Sequence, residues 1–141
     1  MHAELNMQTE FNSSEFYSRQ TVLPELGARG QEKLKHARVT IVGLGGLGSV
    51  SALFLTLAGV GTLRLVDQDT IEMNNLHRQV LYTLGDLRYP KVEAATQHIK
   101  QINPETDVEP MAENLDSDNT STVLDGSDCI VDGLDNMQTR Y

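Results

Sequence analysis

Residues 67–79 bring together side chains that could bind a phosphorylated ligand. Carboxylates, amides and a guanidinium follow one another in this short span, contributed by Asp67, Asp69, Asn75, Gln79 and Arg78. Arg78 is planar and permanently charged, which suits a bidentate contact with a β- or γ-phosphate, while Asn75 and Gln79 could orient it or a ribose. An arginine considered alone is as often part of a surface ion pair as of a binding site, so the interpretation of Arg78 depends on the polar residues beside it.

Further charged residues follow where an anion or a metal ion would need them. Lys91 falls in the first turn of a predicted helix, where its charge opposes the helix dipole. A solvated lysine tolerates that position, but an anionic ligand explains it better. Asp132 and Asp135 end a predicted strand, and a carboxylate there could hold Mg²⁺, which prefers oxygen ligands. Asp135 lies further past the strand and is the better candidate, although it could instead cap a helix that begins at Met137.

A glycine-rich turn predicts where the phosphate would lie. The strand-like residues 39–42 lead into Gly43, Gly45 and Gly48. Gly43 permits a tight turn, Gly45 lets the backbone approach a phosphate, and Gly48 lets the following helix pack closely, so a bulkier residue at any of them would block the turn. Unpaired N–H groups at the helix N-terminus would bind the phosphate. Asp67, about 20 residues beyond the glycines, could accept hydrogen bonds from a ribose.

These residues follow the strands of a predicted α/β fold. Apolar periodicity predicts a Rossmann-like, mostly parallel sheet in the order 3-2-1-4, with helices on both faces. Its strands are predicted at 38–42, 62–66, 108–111 and, buried, within 128–135, and its helices at 49–58, 90–102 and 119–124. The segment 68–89 lacks clear periodicity and is long for a loop, which is typical of a functional loop.

Two helices are predicted before this sheet. Asn12, with Glu15 three residues later, is expected to cap a short helix that runs through Gln20, and a second helix spans 30–36. We therefore expect a flexible N-terminus over residues 1–11, a helical segment over 12–36, and a nucleotide-binding Rossmann-like half-domain over 37–141. Because 141 residues are few for a complete doubly wound enzyme, we expect this half-domain to be incomplete at its C-terminus.

Composition narrows the class of protein. A formal charge of −9 and a pI near 4.7, with no basic run, argue against a nucleic-acid partner. Without a long apolar run or a signal-type N-terminus, we expect a cytoplasmic protein with no membrane partner. Cys129 is the single cysteine, which excludes an internal disulfide or a Cys-pair zinc site within these residues. It lies in an apolar run and is predicted to be a small core residue rather than a nucleophile.

Taken together, these motifs resemble the ThiF/MoeB/HesA family, relatives of the ubiquitin-activating enzymes. The resemblance runs from about residue 16 to the end of the chain. It rests on Tyr17-Ser-Arg-Gln20, Gly43-Leu-Gly-Gly-Leu-Gly48, Asp67-Gln-Asp69, Asn75-Leu-His-Arg-Gln79, Pro90-Lys91, Ile102-Asn-Pro104 and Asp132-Gly-Leu-Asp-Asn136. Each piece is common, but the combination is specific.

The resemblance implies roles for individual residues. Those expected to bind ATP are Gly43, Gly45, Gly46, Gly48, Asp67, Asp69, Asn75, Arg78, Gln79 and Lys91, with Asp67 on the ribose. Those expected to act in catalysis are Arg78, Lys91 and Asp135, the last as a Mg²⁺ ligand. Arg19 matches an arginine that the family inserts into the neighbouring subunit's site, which implies a homodimer.

The implied reaction is ATP-dependent adenylation of the C-terminal glycine of a small carrier protein. That carrier would be a ubiquitin-like or sulfur-carrier protein ending in Gly-Gly, and pyrophosphate would be released. The family's thioester cysteine and its zinc-binding cysteine pairs would lie beyond Tyr141. We therefore expect a fragment or a split subunit that is inactive until its other half is supplied.

Three alternatives stay open from sequence. A NAD-dependent oxidoreductase shares the glycine turn and Asp67 but gives no reason for Arg78, Lys91 and Asp135. A relative of the family could adenylate a modified tRNA base or another small acid. A non-catalytic half could lend only its arginine to a partner. The identity of the carrier protein, its pathway and the formation of a thioester are not predicted.

Overall fold

The structure, a computed structural model, describes residues 10–135. Its elements are α1 (Ser13–Phe16), α2 (Ser18–Thr21), α3 (Gly27–His36), β1 (Arg38–Val42), α4 (Gly46–Ala58), β2 (Thr62–Val66), α5 (Lys91–Ile102), β3 (Asp107–Met111), α6 (Thr120–Leu124) and β4 (Cys129–Asp132). Two 3₁₀ turns, Met73–Asn75 and Leu84–Asp86, lie in the long connection between β2 and α5. No helix among residues 10–135 is long and apolar enough to cross a lipid bilayer.

The strands form one parallel sheet in the order β3-β2-β1-β4, which confirms the predicted order. Val42 at the end of β1 lies beside Val66 of β2 and Asp132 of β4. The carboxyl ends of parallel strands meet at one edge of a sheet, and this edge is where ligands bind in open α/β folds. The residues that follow the strands are therefore brought together there.

Helices cover both faces of the sheet, as predicted. On one face, α4 and α5 pack over a core that includes Leu63 and Leu65 of β2. Arg64, between them, points to the other face, because side chains alternate along a strand. There it donates to the Glu109 carboxylate at 2.9 Å and to the Asp125 carbonyl, just after α6, at 2.8 Å. This arrangement confirms the Rossmann-like class.

Two helices begin earlier than the sequence predicted. α4 begins at Gly46 rather than Ser49, because Gly46 and Gly48 form its first turn. α3 begins at Gly27 rather than Gly30. Glycine has a low intrinsic helix propensity, so a prediction from propensity places the start of each helix after its first glycine. For α4, packing against β1 and β4 overrides that propensity in the folded chain.

The N-terminal helical segment is broken at Tyr17. In place of one helix through Gln20 there are two single-turn helices, α1 and α2. Asn12 caps α1 as expected, since its Oδ1 accepts the Glu15 N–H at 3.2 Å. At α5, Pro90 is the residue before the helix rather than its first residue. These differences leave the order of the strands unchanged.

The prediction that β4 is a buried strand is wrong. Cys129, Ile130 and Asp132 are exposed, because β4 is an outer strand that pairs with β1 and no further strand covers it within residues 10–135. Among these residues Cys129 is therefore exposed rather than part of the core. An apolar run alone does not reveal whether a strand is central or at the edge. Residues 1–9 of the predicted flexible terminus and the predicted helix start at Met137 lie outside the described residues.

Candidate functional site

A cleft of about 470 Å³ opens at the carboxyl edge of the sheet. Its walls are the turn after β1, the connection after β2, the start of α5, the segment after β3 and the turn after β4. Most of the predicted site residues line it, namely Gly43, Gly45, Gly46, Asp67, Asp69, Asn75, Arg78, Gln79, Lys91 and Asp135. Gly48 and Arg19 are not among the lining residues.

The glycines of the turn are required for two different reasons. Gly43 has a φ of 89°, and a Cβ there would lie 2.8 Å from the carbonyl carbon of Gly133. A Cβ on Gly48 would overlap the carbonyl oxygen of Gly43. On Gly45, by contrast, the nearest described atom to a Cβ would be Gln79 Nε2 at 3.7 Å. A larger residue at Gly45 would therefore obstruct a ligand in the cleft but not the turn itself, which corrects the expectation from sequence.

The carboxylate of Asp67 stabilises the glycine turn by accepting a hydrogen bond from it. Its Oδ2 accepts the Leu44 N–H and its Oδ1 accepts the Asp69 N–H, both at 2.8 Å. The Tyr82 hydroxyl donates to the Leu44 carbonyl at 2.9 Å. Burial, and then the charge of Asp67, raises the pKa of Tyr82, so that hydroxyl stays a protonated donor. Each oxygen of Asp67 keeps a further lone pair that a ribose hydroxyl can use.

Lys91 is a buried cation with a weak partner. Its side chain is 7% exposed, which excludes the alternative of a solvated lysine. Its Nζ lies 3.9 Å from Asp69 Oδ2, beyond hydrogen-bond length, and the Asp69 carboxylate is mostly in solvent. A buried charge costs free energy unless an opposite charge compensates it. The positive charge of Lys91 is therefore available to an anion in the cleft.

Arg78 and Gln79 lie against the glycine turn. A Cβ on Gly46 would lie 3.7 Å from Arg78 Cδ, and Arg78 Nη1 donates to the Asn74 carbonyl at 2.7 Å. The Gln79 side chain is buried, with the residue 2% exposed, and its Oε1 has no hydrogen-bond partner among the described residues. A buried amide oxygen without a donor is unfavourable. The cleft thus presents a guanidinium and an unsatisfied amide beside the turn.

Asn75 and the acids after β4 also have local roles. Asn75 Oδ1 accepts the Glu72 N–H at 2.9 Å and caps the first 3₁₀ turn. Asp132 Oδ1 accepts the Leu134 N–H at 3.0 Å, whereas Asp135 lines the cleft. Within residues 10–135 no group of three or more His, Cys, Asp or Glu side chains could hold a metal ion. Mg²⁺ in this cleft would need oxygen ligands from a bound phosphate in addition to Asp135.

Arg19 lies far from the cleft of its own chain. Its helix, α2, contacts the C-terminal end of α4, where Gln20 Nε2 donates to the Ala58 carbonyl at 2.7 Å. The cleft lies at the opposite end of α4, and a helix of 13 residues is about 20 Å long. The Arg19 side chain is exposed and makes no hydrogen bond or ion pair with the residues that the structure describes. It adds no contact to its own cleft.

Two residues that shape the cleft were not predicted. Tyr82 stands in an aperiodic loop, where nothing in the sequence indicates that its hydroxyl reaches the glycine turn. Gly133 had a signal, because it directly follows a strand that is parallel to β1. Its N–H donates to the Val42 carbonyl at 2.8 Å, and a Cβ on it would lie 2.7 Å from the Gly43 oxygen. Gly133 thus allows the two turns to touch.

Two known proteins with similar sequences are named adenylyltransferases. The chain is 43% identical over 142 aligned positions to "Adenylyltransferase and sulfurtransferase MOCS3" of Culex quinquefasciatus, covering 99% of this chain and 32% of the relative. It is 45% identical over 125 positions to "Sulfur carrier protein adenylyltransferase" of Thermus thermophilus, covering 89% of this chain and 46% of the relative. The chain therefore spans between a third and a half of these relatives.

One solved structure and one family model also match this chain. The E. coli tRNA N6-threonylcarbamoyladenosine dehydratase, solved in complex with AMP, superposes with a TM-score of 0.83 at 26% identity. The match covers 94% of this chain and 55% of the other. The ThiF family model matches residues 17–141. The chain belongs to the ThiF family.

Proposed function

We propose that this protein adenylates the C-terminal glycine of a ubiquitin-like or sulfur-carrier protein, using ATP and releasing pyrophosphate. The observation that carries the proposal is the buried, weakly paired Lys91 in the cleft beside the glycine turn. A hydride-transfer site needs no such cation, and membership of the ThiF family removes the main support for a NAD-dependent oxidoreductase. Both relatives named above are adenylyltransferases by name.

ATP would bind with its phosphates at the N-terminus of α4. The first N–H groups of a helix have no partner within it and carry partial positive charge, so they suit a phosphate. Asp67 would accept the ribose hydroxyls, while Asn75, Arg78 and Lys91 would face the phosphates. The complex of the E. coli dehydratase with AMP supports an adenine nucleotide in this fold.

In the proposed reaction, a carboxylate oxygen of the carrier attacks the α-phosphorus of ATP. The new P–O bond gives an acyl-adenylate, and the bond to the bridging oxygen of the β-phosphate breaks as pyrophosphate leaves. Negative charge grows on the pyrophosphate, so Arg78 and Lys91 would stabilise the transition state more than the ground state. Asp135 is suited to hold Mg²⁺, which when bound supplies further charge neutralisation at the phosphates.

We infer that Arg19 completes the cleft of a second copy in a homodimer. Its distance from its own cleft supports a role in trans. Large apolar side chains are also exposed near it and along α4: Val22 is 73%, Leu47 70% and Phe54 63% exposed. Leu47 and Phe54 are seven residues apart on one side of the helix, and a second copy would bury them. Because the chain keeps the nucleotide residues as well as Arg19, a non-catalytic half is the weaker proposal.

The proposed partner is a protein with a C-terminal Gly-Gly, not a nucleic acid. The chain is more similar to the two adenylyltransferases, at 43% and 45% identity, than to the tRNA dehydratase at 26%. A net charge of −9 also disfavours tRNA, whose phosphates would be repelled. We place the protein in the reducing cytoplasm, which suits the free cysteine of these residues, Cys129.

Pyrophosphate exchange into ATP tests the proposal. The assay uses the complete gene product with sulfur-carrier or ubiquitin-like proteins that end in Gly-Gly, and compares Lys91→Ala with Lys100→Ala. Lys100 lies on the same helix, but its side chain is 42% exposed and pairs with Asp107. We expect Lys91→Ala to lose about a hundredfold or more of the exchange and Lys100→Ala to keep it. Equal activity in both variants, or exchange that requires tRNA, would contradict the proposal.

A further inference from the structure

The last turn of α4 is capped by side chains from the segment that carries Arg19. The final carbonyls of a helix have no partner within it. Here the Ala58 carbonyl accepts Gln20 Nε2 at 2.7 Å and Gln31 Nε2 at 3.0 Å, and the two glutamine side chains also bond each other. Gln20 belongs to α2 and Gln31 to α3. Both α2 and α3 are therefore hydrogen-bonded to the end of α4 through the same carbonyl group.

A second tie lies on the other side of Arg19. The buried Tyr17 accepts a hydrogen bond from Asn103 Nδ2 at 2.6 Å, and the same amide donates to the Thr56 carbonyl of α4 at 3.0 Å. Gly59 leaves room for this contact, since a Cβ there would lie 2.7 Å from Tyr17 Cε1. The residues on both sides of Arg19 are thus fixed, although the guanidinium itself has no partner among residues 10–135.

We propose that Gln20 is a positioning residue for Arg19, which it holds at the angle needed to enter the cleft of the second copy. This inference rests on the proposed function in trans. α2 is a single turn of four residues and has no intrinsic stability, so its orientation depends on its ties to α4. α4 also carries the glycine turn at its other end. α4 therefore fixes the position of Arg19 relative to the cleft of the same subunit, because it contacts α2 at one end and carries the glycine turn at the other.

The effect of Gln20→Ala follows from this geometry. Without the amide, α2 loses its tie to Ala58 and Arg19 is misplaced in the neighbouring cleft. We expect kcat for adenylation to fall by about ten- to a hundredfold, because small displacements of a catalytic group have effects of that size. The KM for ATP should change by less than about twofold, because the nucleotide residues of both clefts are untouched.

Ser18→Ala is the matched control. Ser18 also adjoins Arg19 and also makes a side-chain hydrogen bond, but its hydroxyl donates to the Glu15 carbonyl within the same segment, at 2.8 Å. We expect Ser18→Ala to keep the wild-type kcat. Gln20→Glu serves as a variant of equal size that lacks the amide donor, and it should resemble Gln20→Ala. Circular dichroism at the assay temperature verifies that each variant is folded.

Mixed dimers of the complete gene product separate a role in trans from a defect within the subunit. Two differently tagged subunits are co-expressed and the mixed species is purified. A dimer of Gln20→Ala with Arg78→Ala has one cleft with Arg78 intact, and that cleft receives Arg19 from the subunit with a normal Gln20. We expect about half of the wild-type activity. In a dimer of Gln20→Ala with Arg19→Ala, every cleft receives a missing or misplaced arginine, and activity should stay low.

The pair Arg19→Ala with Arg78→Ala tests the proposed function by itself. We call this mixed dimer the reference pair. Gln20 would be supported as a positioning residue if three results are found together. The reference pair and the dimer of Gln20→Ala with Arg78→Ala are active, and the dimer of Gln20→Ala with Arg19→Ala is not. Recovery in the reference pair without recovery of Gln20→Ala would overturn the role of Gln20 alone. Full activity of the Gln20→Ala homodimer would overturn it as well. No recovery in the reference pair would overturn the shared site, and this inference with it.

Discussion

The two ends of α4 are completed in opposite ways. At the C-terminal end, the Thr56 and Ala58 carbonyls accept hydrogen bonds from Asn103, Gln20 and Gln31 of the same chain. At the N-terminal end, the cleft holds a buried lysine whose nearest described carboxylate oxygen is 3.9 Å away and a buried glutamine oxygen without a described partner. The chain satisfies its own polar groups at the first end and leaves charge and hydrogen-bonding capacity uncompensated at the second.

This difference means that residues at one end of α4 mainly stabilise the fold, whereas residues at the other end mainly serve ligand binding. Polar groups that are fully paired within the chain stabilise the fold, whereas unpaired groups at a cleft wall cost stability and are retained for a ligand. Substitutions at the C-terminal end of α4 should therefore weaken the fold and leave nucleotide binding intact. Substitutions at the cleft should have the reverse effect, except where a residue also supports the turn.

Gly48→Ala, in the turn beside the cleft, has the largest expected effect. Its Cβ would overlap the Gly43 carbonyl oxygen, so the turn and the first turn of α4 must separate. We expect a loss of more than about 4 kcal/mol in the free energy of unfolding, or no folded protein, as for other severe backbone clashes. Urea unfolding followed by circular dichroism measures this loss.

Gly45→Ala is the control for that prediction within the same turn. At Gly45 a Cβ would meet no described atom closer than 3.7 Å. We expect the free energy of unfolding to stay within about 1 kcal/mol of wild type, because the methyl group meets no described atom closely. Binding of Mg-ATP, measured by calorimetry, should be weaker, because the methyl group occupies the cleft. Equal destabilisation by both substitutions would show that the two glycines do not differ as described.

Asn103→Ala tests the opposite end of α4. Asn103 is fully buried, and its loss leaves the Thr56 carbonyl and the Tyr17 hydroxyl without this donor. We expect a loss of about 2 to 3 kcal/mol in the free energy of unfolding, which urea denaturation measures. The dissociation constant for Mg-ATP, measured on the folded variant, should stay within about twofold of wild type. A large change in the dissociation constant for Mg-ATP, with no loss of stability, would contradict the proposed difference between the two ends of α4.

A third site, where the long connection meets α5, gives a smaller and pH-dependent effect. Asp86 Oδ2 accepts the Thr83 N–H at 2.7 Å and a hydrogen bond from His98 Nε2 at 2.8 Å. Burial raises the pKa of Asp86, but these hydrogen bonds outweigh it and hold the pKa below the usual 3.8. A lowered carboxyl pKa stabilises the fold above about pH 4, and this contribution is lost as the pH falls through the folded-state value.

Asp86→Asn should therefore destabilise the protein near neutrality and not in acid. We expect a loss of about 1 to 2 kcal/mol in the free energy of unfolding at pH 7, a difference that shrinks below about pH 4. Urea unfolding of both proteins between pH 2 and pH 7 measures it, over a range where both fold. A constant difference across that range would mean that the ionised carboxylate is not the stabilising form.

The sequence predicted the parts of this molecule that depend on local patterns. Apolar alternation located the strands, and the spacing of Gly43, Gly48 and Asp67 located the turn and its acid, because backbone geometry alone requires those residue types. The exposure of Cys129 was missed, since it depends on whether another element covers β4. The bond from Tyr82 to the turn was missed because residues 38 positions apart meet only in the folded chain.

The same limit applies to the N-terminal segment. Tyr17 and Gln20 stood in a recognised motif, yet no local pattern indicates that Gln20 shares a carbonyl with Gln31 or that Tyr17 reaches Asn103. Tyr17 and Asn103 are 86 positions apart, and side-chain hydrogen bonds of this kind leave no periodicity in the sequence. The proposed positioning of Arg19 rests on contacts of this kind.

The most direct test of the account is the thermal unfolding midpoint of the complete gene product with Mg-ATP and with NAD. A ligand at about 100 times its dissociation constant adds about 2.7 kcal/mol to the stability of the folded protein. We predict that Mg-ATP raises the midpoint by several degrees, that Lys91→Ala abolishes this rise while Lys100→Ala keeps it, and that NAD has no effect. A rise with NAD alone, or an equal rise with Mg-ATP in Lys91→Ala, would contradict the assignment of the cleft as an adenylation site.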